Sequence, residues 1–143
     1  MLDIRNFDHI GIRISNRDAS VSFYELLGFE MIADGGYDNG HPLVMLHPSG
    51  ININLLGPAT AKAGENVLMD EVEKYPGITH LALKVKDAQA TETFITENDI
   101  AITGRREFRG TKTIFIRDPD RNVLELVGPG PSVAQLIAEH VHG

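Results

Sequence analysis

Apolar and polar residues alternate in short stretches of the chain, and this alternation predicts β-strands. In Phe7–Ile14, every second residue from Ile10 onward is isoleucine, which makes one face apolar, while His9 and Arg13 lie on the opposite face. The stretch that begins at His80 repeats the pattern, with leucine and valine on one face and the histidine on the other. Each strand therefore carries an imidazole on the side that a hydrophobic core would not cover.

The segments that follow predict the same order of elements twice. Asn16 and Asp87 are typical helix N-caps, and the residues after each of them predict a helix of about ten residues. Three more strands are predicted in each half: Phe29–Asp34, Pro42–Leu46 and Ile51–Leu56, and then Ile100–Gly104, Thr113–Arg117 and Asn122–Val127. The predicted unit is thus β-α-β-β-β.

A constant numerical offset relates the two halves. Adding 71 to a position in the first half reaches a related residue in the second, so that His9 corresponds to His80 (9 + 71 = 80) and Phe23 to Phe94. Such self-similarity indicates two copies of one supersecondary unit. A copy of about 55 to 60 residues is marginally stable alone. We therefore expect the copies to share a core or to pair with a second chain.

We predict a single domain over residues 1–143, with repeat one at about 5–58 and repeat two at about 77–129. The linker, 59–76, is expected to hold a short helix over Asn66–Tyr75, ended by Pro76 and Gly77. The tail, 131–142, has apolar residues at helical spacing, which predicts a C-terminal helix packed on the body or on a partner subunit.

Composition narrows the function classes. A net charge of −7 without a lysine or arginine cluster argues against nucleic acid and membrane partners. The chain has no cysteine, so a metal would be held by imidazole and oxygen ligands. No apolar run approaches the roughly 18 residues of a membrane span, and the N-terminus does not read as a signal peptide. A cytoplasmic enzyme or binding protein that takes a small molecule is the expectation.

Glu125 is the carboxylate that stands out, because Val-Leu precedes it and Leu-Val follows it on a predicted strand. An unpaired buried carboxylate is unfavourable, so Glu125 either faces a wet cavity beside a cation or faces solvent on an edge strand. The histidines have a similar pair of interpretations, as hydrogen-bonded structural residues or as ligands. Two histidines and one carboxylate suit Fe(II), Mn(II), Zn(II) or Ni(II).

Three segments resemble the vicinal oxygen chelate superfamily: DHIGIRISNRDASVSFYELLGFE at 8–30, GITHLALKV at 77–85 and RDPDRNVLELVG at 117–128. That superfamily includes glyoxalase I, fosfomycin-resistance transferases, methylmalonyl-CoA epimerases, extradiol dioxygenases and bleomycin-resistance proteins. The resemblance implies an α+β fold in which two tandem βαβββ units form a cup-shaped mixed sheet with helices on the outer face. It also implies a homodimer, and ligand positions at His9, Asn54, His80 and Glu125.

Asn54 departs from the carboxylate of glyoxalase I, and an amide does not ionise to act as a base. It could still be a weak oxygen ligand or a substrate contact. His9, His80 and Glu125 then remain as metal ligands, with Glu125 also the catalytic candidate, and Asn54, Asn52, Arg13 and Phe115 are the candidate substrate contacts.

The resemblance implies a divalent-metal-dependent, glyoxalase-like lyase or isomerase that acts on a small oxygen-chelating substrate. The first alternative is an Fe(II) extradiol dioxygenase, although Phe115 stands where that class would need a tyrosine. The second alternative is a non-catalytic binding protein like the bleomycin-resistance proteins.

Overall fold

The computed structural model describes residues 1–142, which form two compact units, one up to Asn66 and one from Val67 onward. The N-terminal unit contains β1 (Ile10–Arg13), α1 (Arg17–Leu26), β2 (Glu30–Asp34), a 3₁₀ turn (Tyr37–Asn39), β3 (Leu43–Leu46) and β4 (Asn52–Leu56). The C-terminal unit contains β5 (His80–Lys84), α2 (Ala88–Glu97), β6 (Gly104–Phe108), β7 (Thr111–Arg117), β8 (Val123–Val127) and α3 (Val133–His142).

Each unit has one four-stranded mixed sheet, with strand order β1-β4-β3-β2 in the first and β5-β8-β7-β6 in the second. In each sheet the first and last strands of the unit pair in parallel, and the other neighbours pair antiparallel. Asn54 lies opposite Gly11 and Val44, and Glu125 lies opposite Ala82 and Phe115 in the matching register. The predicted α+β class with two βαβββ units is confirmed.

The two main helices begin where the capping residues predict. The Asn16 side chain accepts a hydrogen bond from the Ala19 N–H at 3.0 Å, and the Asp87 side chain accepts one from the Ala90 N–H at 2.7 Å. Both caps have extended backbone, which is the conformation that this type of cap requires. The predicted C-terminal helix is also present as α3. No helix among the described residues is both long and apolar enough to cross a membrane.

Alternation along the strands separates a buried face from an open one in both sheets. Ile53 and Leu55 of β4 are fully buried, and so is Leu124 of β8, with Leu126 nearly so. In the C-terminal unit, α2 lies over this apolar face, and a cavity of about 240 Å³ between them is lined by Thr91, Ile114 and Leu126 among others. The opposite face therefore remains available for Glu125. We call it the Glu125 face; it carries Ala82, Glu125, Thr113 and Arg106.

The structure corrects the position of one strand. Ile100–Gly104 was predicted as a strand, but β6 occupies Gly104–Phe108. The reason is the hairpin that joins β6 to β7, in which Arg109 and Gly110 both have positive φ (49° and 79°). Such two-residue turns place the paired strands immediately on either side, so Phe108 pairs with Thr111. The first unit has a longer connection at this point, and the offset of the repeat does not hold there.

The helix predicted over Asn66–Tyr75 is wrong. Residues 66–75 form turns and bends, without a helix. Asp70 in this segment accepts hydrogen bonds from Arg117 and Arg121, which tie it to the β7–β8 turn. The Lys74 ammonium donates to the backbone carbonyls of Met69 and Glu71 at 3.3 and 2.6 Å. Tertiary contacts of Asp70 and local side-chain contacts thus replace the helical hydrogen bonds. That residues 1–143 form a single domain stays a prediction.

Candidate functional site

Glu125 lies in the middle of a sheet. Its strand, β8, runs between β5 and β7, so the alternative of an edge-strand glutamate facing solvent is wrong. The side chain is 16% exposed, less than half the value for the neighbouring His80 at 40%. A carboxylate with this little access to water needs a polar or cationic neighbour. His80 supplies that neighbour.

His80 opens β5 on the same face of the sheet. Its Nε2 lies 3.3 Å from Oε2 of Glu125. Its Nδ1 lies 2.8 Å from the hydroxyl of Thr79, the residue before it. When Nδ1 carries the proton and donates it to the Thr79 oxygen, Nε2 holds the free lone pair that a cation would need. The structure therefore brings together two of the three predicted metal ligands.

His9 has the same local arrangement in the N-terminal unit. It directly precedes β1, and its Nδ1 lies 2.6 Å from Oδ2 of Asp8, so its Nε2 is left for another partner. Asp8 and Thr79 occupy corresponding repeat positions (8 + 71 = 79). Within the part of the chain that the structure describes, no group of three His, Asp or Glu side chains is placed to hold a metal. Convergence of His9 with the other two ligands stays a prediction.

Asn52 and Asn54 lie on one face of β4, as period-2 geometry requires. The side-chain oxygen Oδ1 of each is buried and has no hydrogen-bond partner among the described residues. A buried acceptor without a partner costs about 1–3 kcal/mol. Such atoms are commonly satisfied by water or a ligand. Their position supports the prediction that both contact substrate, and Asn54 occupies the register position that Glu125 has in the other unit.

Phe115 and Arg13 have less defined surroundings. Phe115 lies opposite Glu125 on the Glu125 face, and a Cβ added at Gly104 would lie 3.4 Å from its ring, so the aromatic ring rests beside that glycine. Arg13 ends β1 and is exposed, with no carboxylate bonded to it in the residues described. Their roles as substrate contacts stay predictions.

A cavity of about 430 Å³ opens on the Glu125 face of the C-terminal unit. This volume is in the usual range for small-molecule sites. Its floor comes from the four strands and its wall from the start of α3, with the following lining residues: Ala82, Lys84, Arg106, Phe108, Thr111, Thr113, Glu125, Val127, Pro131, Ser132, Val133 and Leu136. Phe115 is not among them.

Arg106 and the α3 residues did not emerge from the sequence as site residues. The displaced position of β6 explains the first omission, because a strand at Ile100–Gly104 would not include Arg106. Alternation along β7 could have found Thr113, which is two residues from Phe115 on the same face. Nothing in the sequence pattern places α3 against this cavity.

Comparison with known proteins agrees with this architecture. The family model described as the Glyoxalase/Bleomycin resistance protein/Dioxygenase superfamily matches residues 6–126. A glyoxalase family protein from Enterococcus faecalis is 27% identical, with 86% of this chain and 97% of that chain covered and a TM-score of 0.71. No curated protein matches the sequence.

Two other solved structures share the fold at lower identity. Lactoylglutathione lyase from Agrobacterium tumefaciens is 17% identical over 88% of this chain and 96% of that one, with a TM-score of 0.63. TnmS3, an antibiotic binding protein from Streptomyces sp. CB03234, is 20% identical over 91% and 100%, with a TM-score of 0.66. The family match covers most of the sequence, and the chain belongs to the glyoxalase/bleomycin resistance protein/dioxygenase superfamily.

Proposed function

We propose that this protein is a divalent-metal-dependent enzyme, a glyoxalase-like lyase or isomerase, with His9, His80 and Glu125 as metal ligands. The observation that carries the proposal is the 3.3 Å separation of His80 Nε2 and Glu125 Oε2. Ligand atoms bound at about 2.0–2.2 Å to one ion in octahedral or tetrahedral geometry lie roughly 2.8–3.6 Å apart. The pair therefore has the spacing of two ligands of a common ion.

The neighbours of the histidines support the same assignment. In metal sites the second ring nitrogen of a histidine ligand is usually held by a carboxylate, hydroxyl or carbonyl, which fixes the ring and its tautomer. Thr79 is within hydrogen-bonding distance of Nδ1 in His80, and Asp8 is within that distance of Nδ1 in His9. In both histidines Nδ1 is the nitrogen with a side-chain partner of this kind, so Nε2 is the nitrogen that would bind the ion.

The remaining polar groups fit a substrate with neighbouring oxygens. A divalent metal in this site would act as a Lewis acid on those oxygens. Glu125 is the one carboxylate among the lining residues of the 430 Å³ cavity, so it is the candidate both for holding the ion and for exchanging a proton with substrate. Asn54 cannot serve as a base, but its unpaired Oδ1 can accept a hydrogen bond from a substrate hydroxyl.

Metal content tests the proposal directly. Wild type, H9A, H80A and E125Q should be purified without chelators, loaded with Zn(II), Mn(II), Fe(II) or Ni(II) in turn, and analysed for bound metal after gel filtration. We expect about one ion per chain in wild type and loss of at least about tenfold in affinity for each variant. H41A is the matched control, because His41 precedes β3 and is not a predicted ligand. Equal, negligible metal in wild type and H80A would overturn the proposal.

Oxidative ring cleavage is distinguished by oxygen consumption. Anaerobically prepared Fe(II) protein should be given simple catechols, and the oxygen uptake should be compared with turnover of a hemithioacetal. We expect no catechol-dependent uptake, because Phe115 has no ionisable group at the position where a dioxygenase tyrosine would stand.

A non-catalytic binding protein is the second candidate function. The observation that favours it is the direct contact between the side chains of His80 and Glu125. A histidine and a carboxylate at 3.3 Å can also form an ion pair that needs no metal. If ligand binding survives the removal of the His9, His80 and Glu125 side chains together, a binding protein replaces the enzyme as the proposed function.

A homodimer and a cytoplasmic location are further proposals. The exposed apolar side chains of Val133 and Ile137 on α3 support the homodimer.

A further inference from the structure

The cavity on the Glu125 face carries a charge that differs from the charge of the chain. The chain has a net charge of −7, but the charged lining residues are Lys84, Arg106 and Glu125, two cations and one carboxylate. The local balance is +1 in an acidic protein. A surplus of cations in a cleft raises the local concentration of anionic ligands.

The sheet register places both cations in one row. Lys84 of β5 lies opposite Val127, Val127 lies opposite Thr113, and Thr113 lies opposite Arg106 of β6. The row crosses three strand spacings, roughly 14 Å between the outer backbones. Both outer side chains are long, and Thr113 and Val127 are the residues that lie between them in the row. The next row along the strands contains Glu125, so the cationic row lies directly beside the proposed metal ligand.

Both cations have donors to spare. The Lys84 ammonium donates one hydrogen bond to the carbonyl of Gly130 at 3.1 Å, which holds it at the start of the α3 segment. An ammonium has three N–H donors, so two remain. Arg106 is exposed and makes no ion pair or side-chain hydrogen bond within the described part of the chain. Its neighbour Arg105, in contrast, points to the other face and binds Glu92.

Apolar side chains line the same cavity around the cationic row. Phe108 lies at the end of β6, and Val133 and Leu136 belong to the first turns of α3. Phe108 and Val133 are 53% and 72% exposed, which is high for side chains of this type. A ligand with an apolar body would cover them and gain the free energy of that burial.

We propose that the substrate is an amphipathic monocarboxylate, whose carboxylate is held by Lys84, Arg106 and the Thr113 hydroxyl. Its apolar body covers Phe108 and Leu136, and its oxygen-bearing end faces Glu125. A single negative charge matches the local balance of +1 better than a phosphate dianion. This substrate class rests on the proposed function only for the role of Glu125, because the cationic row does not need a metal.

The test uses 4-phenylbutanoate as the probe and its uncharged amide, 4-phenylbutanamide, as the matched ligand, with metal-free protein and isothermal titration calorimetry. We expect the acid to bind more tightly than the amide. We expect K84M and R106M each to weaken the acid by about tenfold or more, since a charge-assisted hydrogen bond is lost. R105M and K86M, which change cations outside the cavity lining, should have no effect. The acid should also lose affinity as salt is raised.

The outcomes separate this inference from the proposed function. Equal affinity for acid and amide, or an R106M affinity equal to that of wild type, overturns the substrate class. R106M is decisive because Arg106 has no intramolecular bond to lose, whereas K84M also removes the contact with Gly130. If wild type binds no metal but R106M weakens the acid, the metal proposal fails and the carboxylate site stands.

Discussion

The hydroxyl of Thr79 offers the sharpest test of how the metal ligands are oriented. In wild type this hydroxyl lies 2.8 Å from His80 Nδ1, while Nε2 of the same ring lies 3.3 Å from Glu125. Thr79→Val keeps the shape of the side chain and removes the hydrogen-bonding oxygen. The ring then loses the contact that selects its tautomer, and Nε2 is no longer held towards Glu125. We expect weaker metal binding without a change of fold.

The expected loss of metal affinity in T79V depends on how exposed the contact between Thr79 and His80 is to water. Removal of a residue that orients a metal-bound histidine typically weakens metal binding by about 10–100-fold. Thr79 is a neutral partner and His80 is 40% exposed, so water can take the place of the hydroxyl. We therefore expect a loss near the lower limit, about tenfold, which corresponds to about 1.4 kcal/mol.

The assay is a competition titration of Zn(II) between the protein and a coloured chelator, with Co(II) absorption as an independent report on the ligands. Thr79→Ser is the matched variant, because it restores the hydroxyl at the same position, and it should bind metal as wild type does. Thermal unfolding of the metal-free proteins checks that all three have the same stability. If T79V and wild type bind Zn(II) with the same Kd, Thr79 does not orient a ligand and the reasoning is refuted.

Two further predictions concern stability. Gly57→Ala would place a Cβ 1.8 Å from the ring of Tyr37, which is 7% exposed. We therefore expect the free energy of unfolding, measured in urea, to fall by about 1–3 kcal/mol. G104A, where the nearest neighbour of the added Cβ lies at 3.4 Å, should be less destabilised, and equal urea midpoints for the two variants would contradict this reasoning. Hydrogen bonds from Arg121, and then from Arg117, lower the pKa of Asp70 from 3.8 to about 2. A carboxylate whose pKa is lowered in the folded state stabilises the fold at pH values above its ordinary pKa. The stability advantage of wild type over D70N should therefore be constant above pH 3.8 and shrink as the pH falls towards about 2. An advantage that stays the same from pH 5 to pH 2 would show that Asp70 does not contribute through its charge.

Local patterns predicted much of the fold because they depend only on near neighbours. Helix starts at Asn16 and Asp87 follow from side chains that reach a backbone N–H three residues on. The side of each strand that carries His80 or Glu125 follows from the alternation of side chains. These features need no knowledge of distant residues, and the structure agrees with them.

The errors occurred where distant contacts compete with local preference. The segment around Asp70 has a helical pattern, but Arg117 and Arg121, about fifty residues further on, hold Asp70 in a turn. The β6 strand follows the register set by its two-residue hairpin rather than the offset between the repeats. Arg106 was missed as a site residue for this reason, since its place beside the cavity depends on that register.

The amino-acid sequence by itself determined which residues could carry chemistry: repeat-matched imidazoles at or just before the first strand of each unit, and a carboxylate on the face of a strand that the core leaves open. That information is local, because alternation along a strand assigns every side chain to one face. Only the tertiary structure decided which strands are neighbours, and hence that His80 Nε2 lies 3.3 Å from Glu125 and that Lys84 and Arg106 border the same cavity. Strand pairing joins residues that are dozens of positions apart, and no local pattern encodes that distance.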